Sequence, residues 1–143
     1  MKRMLIGTLA AASGVKITTI RYYERAGLMP LPEHTAGTHR NYGKEHLSRL
    51  RFICRARELE FSIEDIRKLL VLADPTRPSC REVQQLAAEH LEKLRKKVAG
   101  LVKLESMLSG AVAQCDGKSD MSCPVLKLLK DADCLQAQQQ RIV

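Results

Sequence analysis

The 143-residue chain has no tryptophan, three tyrosines and two phenylalanines, so aromatic residues make up only 3% of it. A core of stacked rings is therefore excluded. The 45% of hydrophobic residues, mostly Leu, Ala and Val, favours helices. No apolar run approaches the roughly 18 residues that a membrane span requires, and the basic start Met1-Lys2-Arg3 leads into an interrupted amphipathic pattern instead of a signal sequence. These absences predict a cytoplasmic chain with no membrane partner. The five cysteines match no small secreted scaffold, and in a reducing compartment they are expected to be thiols or metal ligands. The sequence also lacks a nucleophile-base constellation, so an enzyme is not expected.

The length suits one domain, or a small domain joined to an interaction helix. Of the net charge of +8, residues 1–70 carry 13 Lys+Arg against 7 Asp+Glu, a balance of +6, and residues 71–143 carry 11 against 9, a balance of +2. The first half is the expected polyanion-binding half.

Ile6 to Ala12 follows a short apolar helical pattern, Ser13-Gly14 breaks it, and a second helix is expected from Ile17 to about Ala26. Two short helices around a tight glycine-containing turn form a helix-turn-helix. In the second helix Ile20 and Tyr23 are expected to face inward, leaving Thr18, Arg21, Tyr22 and Arg25 outside. Arg brings charge and a bidentate fork, and Thr and Tyr suit base methyls and phosphate oxygens. The segment Leu31 to Tyr42, punctuated by Pro32 and Gly37, fits a two-stranded wing. Arg40 and Tyr42, two apart, are expected on one side of its strand, clamping a DNA backbone together.

A third helix is expected over Lys44 to Leu59, with Leu47, Leu50, Ile53 and Cys54 inward; Cys54 reads as a small core residue. Ser62 is expected to cap a fourth helix at the amide of Asp65, with Phe61 stapled to Ile66 and a buried stripe of Ile66, Leu69, Leu70 and Ala73. Asp74 to Pro78 stops that helix.

From Arg81 the pattern is heptad, with Ala87, Leu94, Leu101 and Leu108 on one row, and Leu91, Val98 and Val112 on the next, interrupted by Glu105. A single long helix cannot bury such a stripe alone, so a homodimer is expected. Cys80 and Cys115 bracket 34 residues that read as uninterrupted helix, roughly 50 Å at 1.5 Å per residue, so they cannot hold one ion within a chain. An antiparallel partner helix brings Cys80 of one chain beside Cys115 and Cys123 of the other, which gives two three-thiolate sites per dimer. Soft thiolates select soft or borderline metals. Beyond Cys115, a loop from Asp116 to Ser122 leads to Cys123-Pro124, a short helix over Val125 to about Lys130, and a polar tail from Cys134.

The run Ile6-Gly7-x-Leu9-Ala10 through Gly14-Val15, then Thr19-Ile20-Arg21-Tyr22-Tyr23-Glu24-Arg25-x-Gly27-Leu28, with Arg40-x-Tyr42, Leu50-Arg51-Phe52-Ile53 and Ala56-Arg57-x-Leu59-x-Phe61-Ser62-Ile63-x-x-Ile66, resembles the MerR family of metal- and drug-responsive transcription regulators over residues 5–126. Two positions depart from the pattern. Lys16 stands where a Ser-like N-cap is usual, adding positive charge and removing a cap of about 1 kcal/mol. Glu60 stands where a glycine is usual between the third and fourth helices.

The resemblance implies a winged-helix homodimer bound to double-stranded promoter DNA together with RNA polymerase. Its DNA-binding set is Lys16, Thr18, Arg21, Tyr22, Arg40 and Tyr42. Metal binding then twists the dimer and deforms the operator, aligning polymerase boxes that are spaced too far apart.

In the family's copper(I) branch the position of Cys80 is a serine, and in the zinc branch a second cysteine follows the position of Cys115, where this chain has Asp116. The likeness therefore points to a soft divalent ion on Cys80, Cys115 and Cys123. Hg(II) comes first on the likeness of Ala88-Glu89-His90-Leu91 and Glu105-x-x-Leu108-Ser109, with Pb(II) and Cd(II) close behind, then Zn(II), and Cu(I) last. Asp116 and Asp120 are candidate oxygen ligands, whereas His90 is expected at the helix surface or the seam. Two readings from other classes compete, a structural zinc protein clipped at Cys115 and Cys123, and a redox sensor whose thiols are activated by Lys118 or Arg81.

The expected fold is mainly α. A winged helix-turn-helix DNA-binding domain (1–73) and a linker (74–80) precede a long antiparallel coiled-coil dimerisation helix (81–115), then a C-terminal metal-binding loop, short helix and tail (116–143).

Overall fold

The computed structural model describes residues 3–34, 40–77, 79–115, 117 and 123–131 and divides into two compact units, Met1–Gln84 and Gln85–Val143. The first begins with α1 (Ile6–Ser13) and α2 (Ile17–Arg25). Gly14 sits between them at φ 73, where its amide donates to the carbonyl of Ala10 at 2.9 Å and stops α1. The Ser13 hydroxyl donates back to the Leu9 carbonyl at 2.8 Å, and the turn proceeds directly into α2.

The wing is an antiparallel pair, β1 (Glu33–His34) and β2 (Arg40–Asn41), with Glu33 opposite Asn41 and His34 opposite Arg40; its tip, 35–39, lies outside the described residues. At the base of the wing Met4 and Tyr42 exchange two main-chain hydrogen bonds of 2.8 Å, fastening the N-terminal segment to it.

Helix α3 (Lys44–Glu58) starts at Gly43, whose amide donates to Nδ1 of His46 at 3.0 Å. It ends in a six-residue closing turn, with Phe61 N donating to the Ala56 carbonyl and Glu60 N to the Arg57 carbonyl. Glu60 holds the left-handed position of that turn at φ 66, so the turn is kept although its residue is not glycine. Arg57 Nη1 reaches the Phe61 carbonyl at 2.9 Å and reinforces it.

Helix α4 (Ile63–Leu72) is capped as expected, the Ser62 hydroxyl accepting from Asp65 N at 3.1 Å. Ile66 and Leu69 are buried and Leu70 is half-buried. Ala73, expected in the same stripe, is instead the exposed C-cap, because α4 closes at Leu72 before the stripe takes another turn. Asp74 then accepts from Thr76 N at 2.9 Å and Thr76 Oγ1 at 2.8 Å, a local turn that turns the chain away from helix. These bonds hold the Asp74 carboxyl below its ordinary value.

Leu9, Ile20, Leu28, Leu50, Ile53 and Ile66 are fully buried in this unit, with Tyr23 and Phe61 nearly so. Each such aliphatic side chain contributes about 1.5–3 kcal/mol relative to an exposed one. The core thus lies where α1, α2, α3 and α4 converge, and it fixes which face of α2 stays outside.

Helix α5 runs from Cys80 to Gln114 as one 35-residue helix, starting and ending one residue earlier than expected. Cys115 follows immediately, its amide donating to the Val112 carbonyl at 3.2 Å. In the second unit Leu91, Val98, Leu101, Leu108 and Val112 are all 45% or more exposed, so these residues of the apolar stripe have no cover among the described residues. His90 and Ala111 are buried. His90 is therefore not the helix-surface residue expected, although burial is compatible with a seam. Helix α6 (Pro124–Asp131) completes the described chain. No helix among the described residues is long and apolar enough to cross a membrane.

Candidate nucleic-acid interface and thiolate site

The surface of α2 follows from which of its residues enter the core. Ile20 and Tyr23 are buried, and Thr18, Arg21, Tyr22 and Arg25 are exposed, so a hydroxyl, two guanidiniums and a phenol share the outer side. Lys16 is the exposed N-cap residue and its side chain makes no capping bond. Its positive charge remains at the solvent-facing start of α2. Tyr22 lies with its ring centroid 5.8 Å from that of Tyr23, inclined at 54°, so the exposed ring leans against the buried one. Burial raises the pKa of Tyr23, as does neighbouring Cys54, whose own thiol is pushed up by burial and by Glu58. Half-buried Cys54 therefore behaves as a packing residue with a neutral thiol.

Helix α2 ends in the same closing turn as α3. Leu28 N donates to the Tyr23 carbonyl at 2.9 Å and Gly27 N to the Glu24 carbonyl at 3.1 Å, with Gly27 at φ 75. Two arginines from elsewhere meet this end. Arg67 Nη2 of α4 donates to the Ala26 carbonyl at 2.6 Å, and Arg49 Nε of α3 donates to the Leu28 carbonyl at 2.6 Å.

The wing departs from expectation at one residue. Tyr42 is not a surface partner of Arg40 on a phosphate: it is fully buried, its hydroxyl donates to Glu24 Oε1 at 2.6 Å, and its ring meets His46 edge-on at 5.3 Å. Tyr42 lies one residue past β2, where its pairing with Met4 places it at the base of the wing, and an aromatic ring with one polar tip is stabilised there by a buried carboxylate. Arg40 holds its place in β2 opposite His34, and its side chain lies outside the described residues. Glu24, Arg49 and Arg67 were not singled out from sequence. Their partners lie 18, 21 and 41 residues away, and no local pattern signals such bonds.

The thiols fall into two groups. Cys80 is the exposed first residue of α5. Cys115 is exposed at the far end of α5, and half-buried Cys123 precedes α6, its carbonyl accepting from Lys127 N at 3.0 Å. The main-chain amides of Leu126 and then Val125 bond to the Cys123 thiol and hold it below the ordinary thiol value; a smaller desolvation effect opposes this, and a bond with the Cys115 thiol adds to it. A helix N-terminus favours thiolate, the form that ligates metal. The structure therefore brings Cys115 and Cys123 together as a two-sulfur donor pair suited to a soft cation. Among the described residues no group of three His, Cys, Asp or Glu side chains forms. Asp116, Lys118, Asp120 and Cys134 lie outside the described residues.

These features define a winged helix-turn-helix protein with a basic recognition helix and a paired-thiol loop. A family model described as MerR HTH family regulatory protein matches residues 4–71, and one described as MerR, DNA binding, matches residues 47–111. A mercuric resistance operon regulatory protein of Serratia marcescens is 37% identical over 131 residues, covering 91% of this chain and 90% of that protein. The solved structure of the regulator PbrR691 from Ralstonia metallidurans CH34 in complex with lead(II) aligns at a TM-score of 0.72 and 36% identity, covering 88% of this chain and 98% of that one. That of MerR from Bacillus megaterium MB1 in complex with mercury(II) aligns at 0.64 and 34%, covering 89% and 99%. The chain belongs to the MerR family: it is a DNA-binding, metal-responsive transcription regulator and not an enzyme.

Proposed function

We propose that the protein is a homodimeric promoter-binding regulator that senses a soft divalent heavy metal, Hg(II) first. Cys80 of one subunit joins Cys115 and Cys123 of its partner in each of two sites. The observation that carries this reading is the two-sulfur pair of Cys115 and Cys123, with Cys80 at the head of a 35-residue helix whose apolar stripe is bare. A helix of this length cannot bring its two ends to one ion, and an antiparallel partner supplies both the missing thiolate and cover for the stripe.

The fit to a soft metal rests on the donors. Cys123 is biased toward thiolate by the amides of α6, and Cys115 stands beside it. The bound ion supplies an electrophilic centre that three thiolates share across the interface. Each dimer arrangement offers the thiolates a different spacing, so whichever arrangement suits three-thiolate coordination is favoured. On the DNA side, Lys16, Thr18, Arg21 and Tyr22 present positive charge and donors to phosphates and base edges, with Arg40 extending contact from the wing. Repositioning the two recognition helices then deforms the operator.

The metal-bearing relatives support a heavy-metal sensor. A lead(II) response is the second reading, favoured by the likeness to the lead-bound regulator. Transcription in vitro from the cognate promoter against Hg(II), Pb(II), Cd(II), Zn(II), Cu(I) and peroxide tests the proposal. Activation at the lowest concentration is expected from Hg(II). Activation by Cu(I) or by peroxide alone overturns it.

A further inference from the structure

We infer that Arg67 and Arg49 are positioning residues for operator recognition, holding the carbonyl end of α2 from α4 and α3. This rests on the reading of α2 as the recognition helix. The last carbonyls of a helix have no partners within it and carry its negative dipole end. In α2 the closing turn occupies the Tyr23 and Glu24 carbonyls. The Ala26 and Leu28 carbonyls just beyond receive Arg67 Nη2 and Arg49 Nε, each at 2.6 Å. Hydrogen bonds from a charged donor are about twice as strong as neutral ones, and these two reach the same turn from different helices.

The other arm of the Arg67 fork, Nη1, lies 3.5 Å from Glu64 Oε1. A planar guanidinium meets the carbonyl and the carboxylate together, whereas a lysine ammonium is a single point charge without that fork. Glu24, bound by the Tyr42 hydroxyl at 2.6 Å, ties α2 to the base of the wing. The recognition helix is thus held to α3, α4 and the wing by three side-chain bonds, none of which uses its exposed face. Arg67 and Arg49 add to the basic count of the first unit, but Arg67 Nη2 and Arg49 Nε are spent on protein carbonyls. Their loss weakens sequence-specific docking while leaving the phosphate contacts in place.

The test uses the full-length dimer, a duplex selected by the unaltered protein from a random-sequence pool, and a scrambled duplex, with binding measured across a salt series. Arg67→Gln and Arg49→Gln are each expected to weaken the selected duplex about tenfold. Affinity for the scrambled duplex and the slope of log K against log salt stay unchanged, and Arg67→Lys recovers part of the loss. A slope reduced by about 0.9, with both duplexes weakened alike, marks a phosphate contact and overturns the inference. Unchanged affinity for the selected duplex, with only a lowered thermal midpoint, marks a purely structural role and also overturns it. If Arg67→Gln does not fold, Arg67→Lys and Arg49→Gln are read by the same criteria. Arg21→Ala serves as the control: its failure to weaken the selected duplex overturns the recognition-helix reading and this inference with it, whereas unchanged affinity in the Arg67 and Arg49 variants alone overturns only this one.

Discussion

Glu60 holds φ 66 in the turn between α3 and α4, a conformation that costs a residue with a Cβ about 1–2 kcal/mol. The turn persists because Phe61 is buried behind it and Arg57 binds the Phe61 carbonyl. Glu60→Gly is therefore expected to raise unfolding stability by about 1 kcal/mol, the relief of strain exceeding glycine's entropic cost; an unchanged or lower urea midpoint contradicts this. Tyr42 leads to the opposite outcome. Tyr42→Phe removes the hydroxyl that binds buried Glu24, and the expected cost is about 1–3 kcal/mol of stability with no change in the salt dependence of DNA binding. Operator binding weakened about tenfold with stability unchanged would restore Tyr42 as a phosphate ligand. This residue was misread from sequence because alternation says which residues share a side of an extended segment but not whether that side is covered, and at Tyr42 it is buried at the base of the wing. Its carboxylate partner lies 18 residues back, beyond the range of any local pattern.

At the scale of elements the sequence was most informative where the signal is local. Ser62 capping Asp65, Gly14 stopping α1 and Gly27 closing α2 are short-range chemistry, and the described helices begin and end within a residue or two of expectation. Periodicity separated the buried and exposed faces of α2 correctly for the same reason. It failed at Ala73, because a stripe continues in sequence after its helix has ended. The heptad rows of α5 translate into a stripe with Leu101 at 65% exposure and Val98 at 59%. Leu101→Lys places a charge in that stripe, where a partner helix is expected to cover it. The variant is expected to sediment as a monomer or aggregate and to lose tight operator binding. A dimer of unchanged affinity would contradict helix pairing through α5.

At the scale of the whole molecule, two of the three thiolates of the candidate site come together in one chain. Cys115 and Cys123 meet at the start of α6, while the third thiolate was inferred from helix length, a property of the sequence that a single subunit cannot complete. The spacing of the three cysteines is what suggests the site; it does not choose the metal, because Hg(II), Pb(II) and Cd(II) share a preference for thiolates and differ in coordination detail that residue types do not encode. The cross-subunit site is the central claim, and one mixing measurement addresses it directly. Cys80→Ser and Cys115→Ser proteins are prepared separately, subunit exchange is verified, and Hg(II) is added. Neither homodimer retains an intact site, but one of the two sites in the heterodimer holds Cys80 from one chain with Cys115 and Cys123 from the other. Mixing is expected to restore the ultraviolet absorption band of three-thiolate Hg(II) at one ion per heterodimer; verified heterodimers that show no such band would contradict a site shared between subunits.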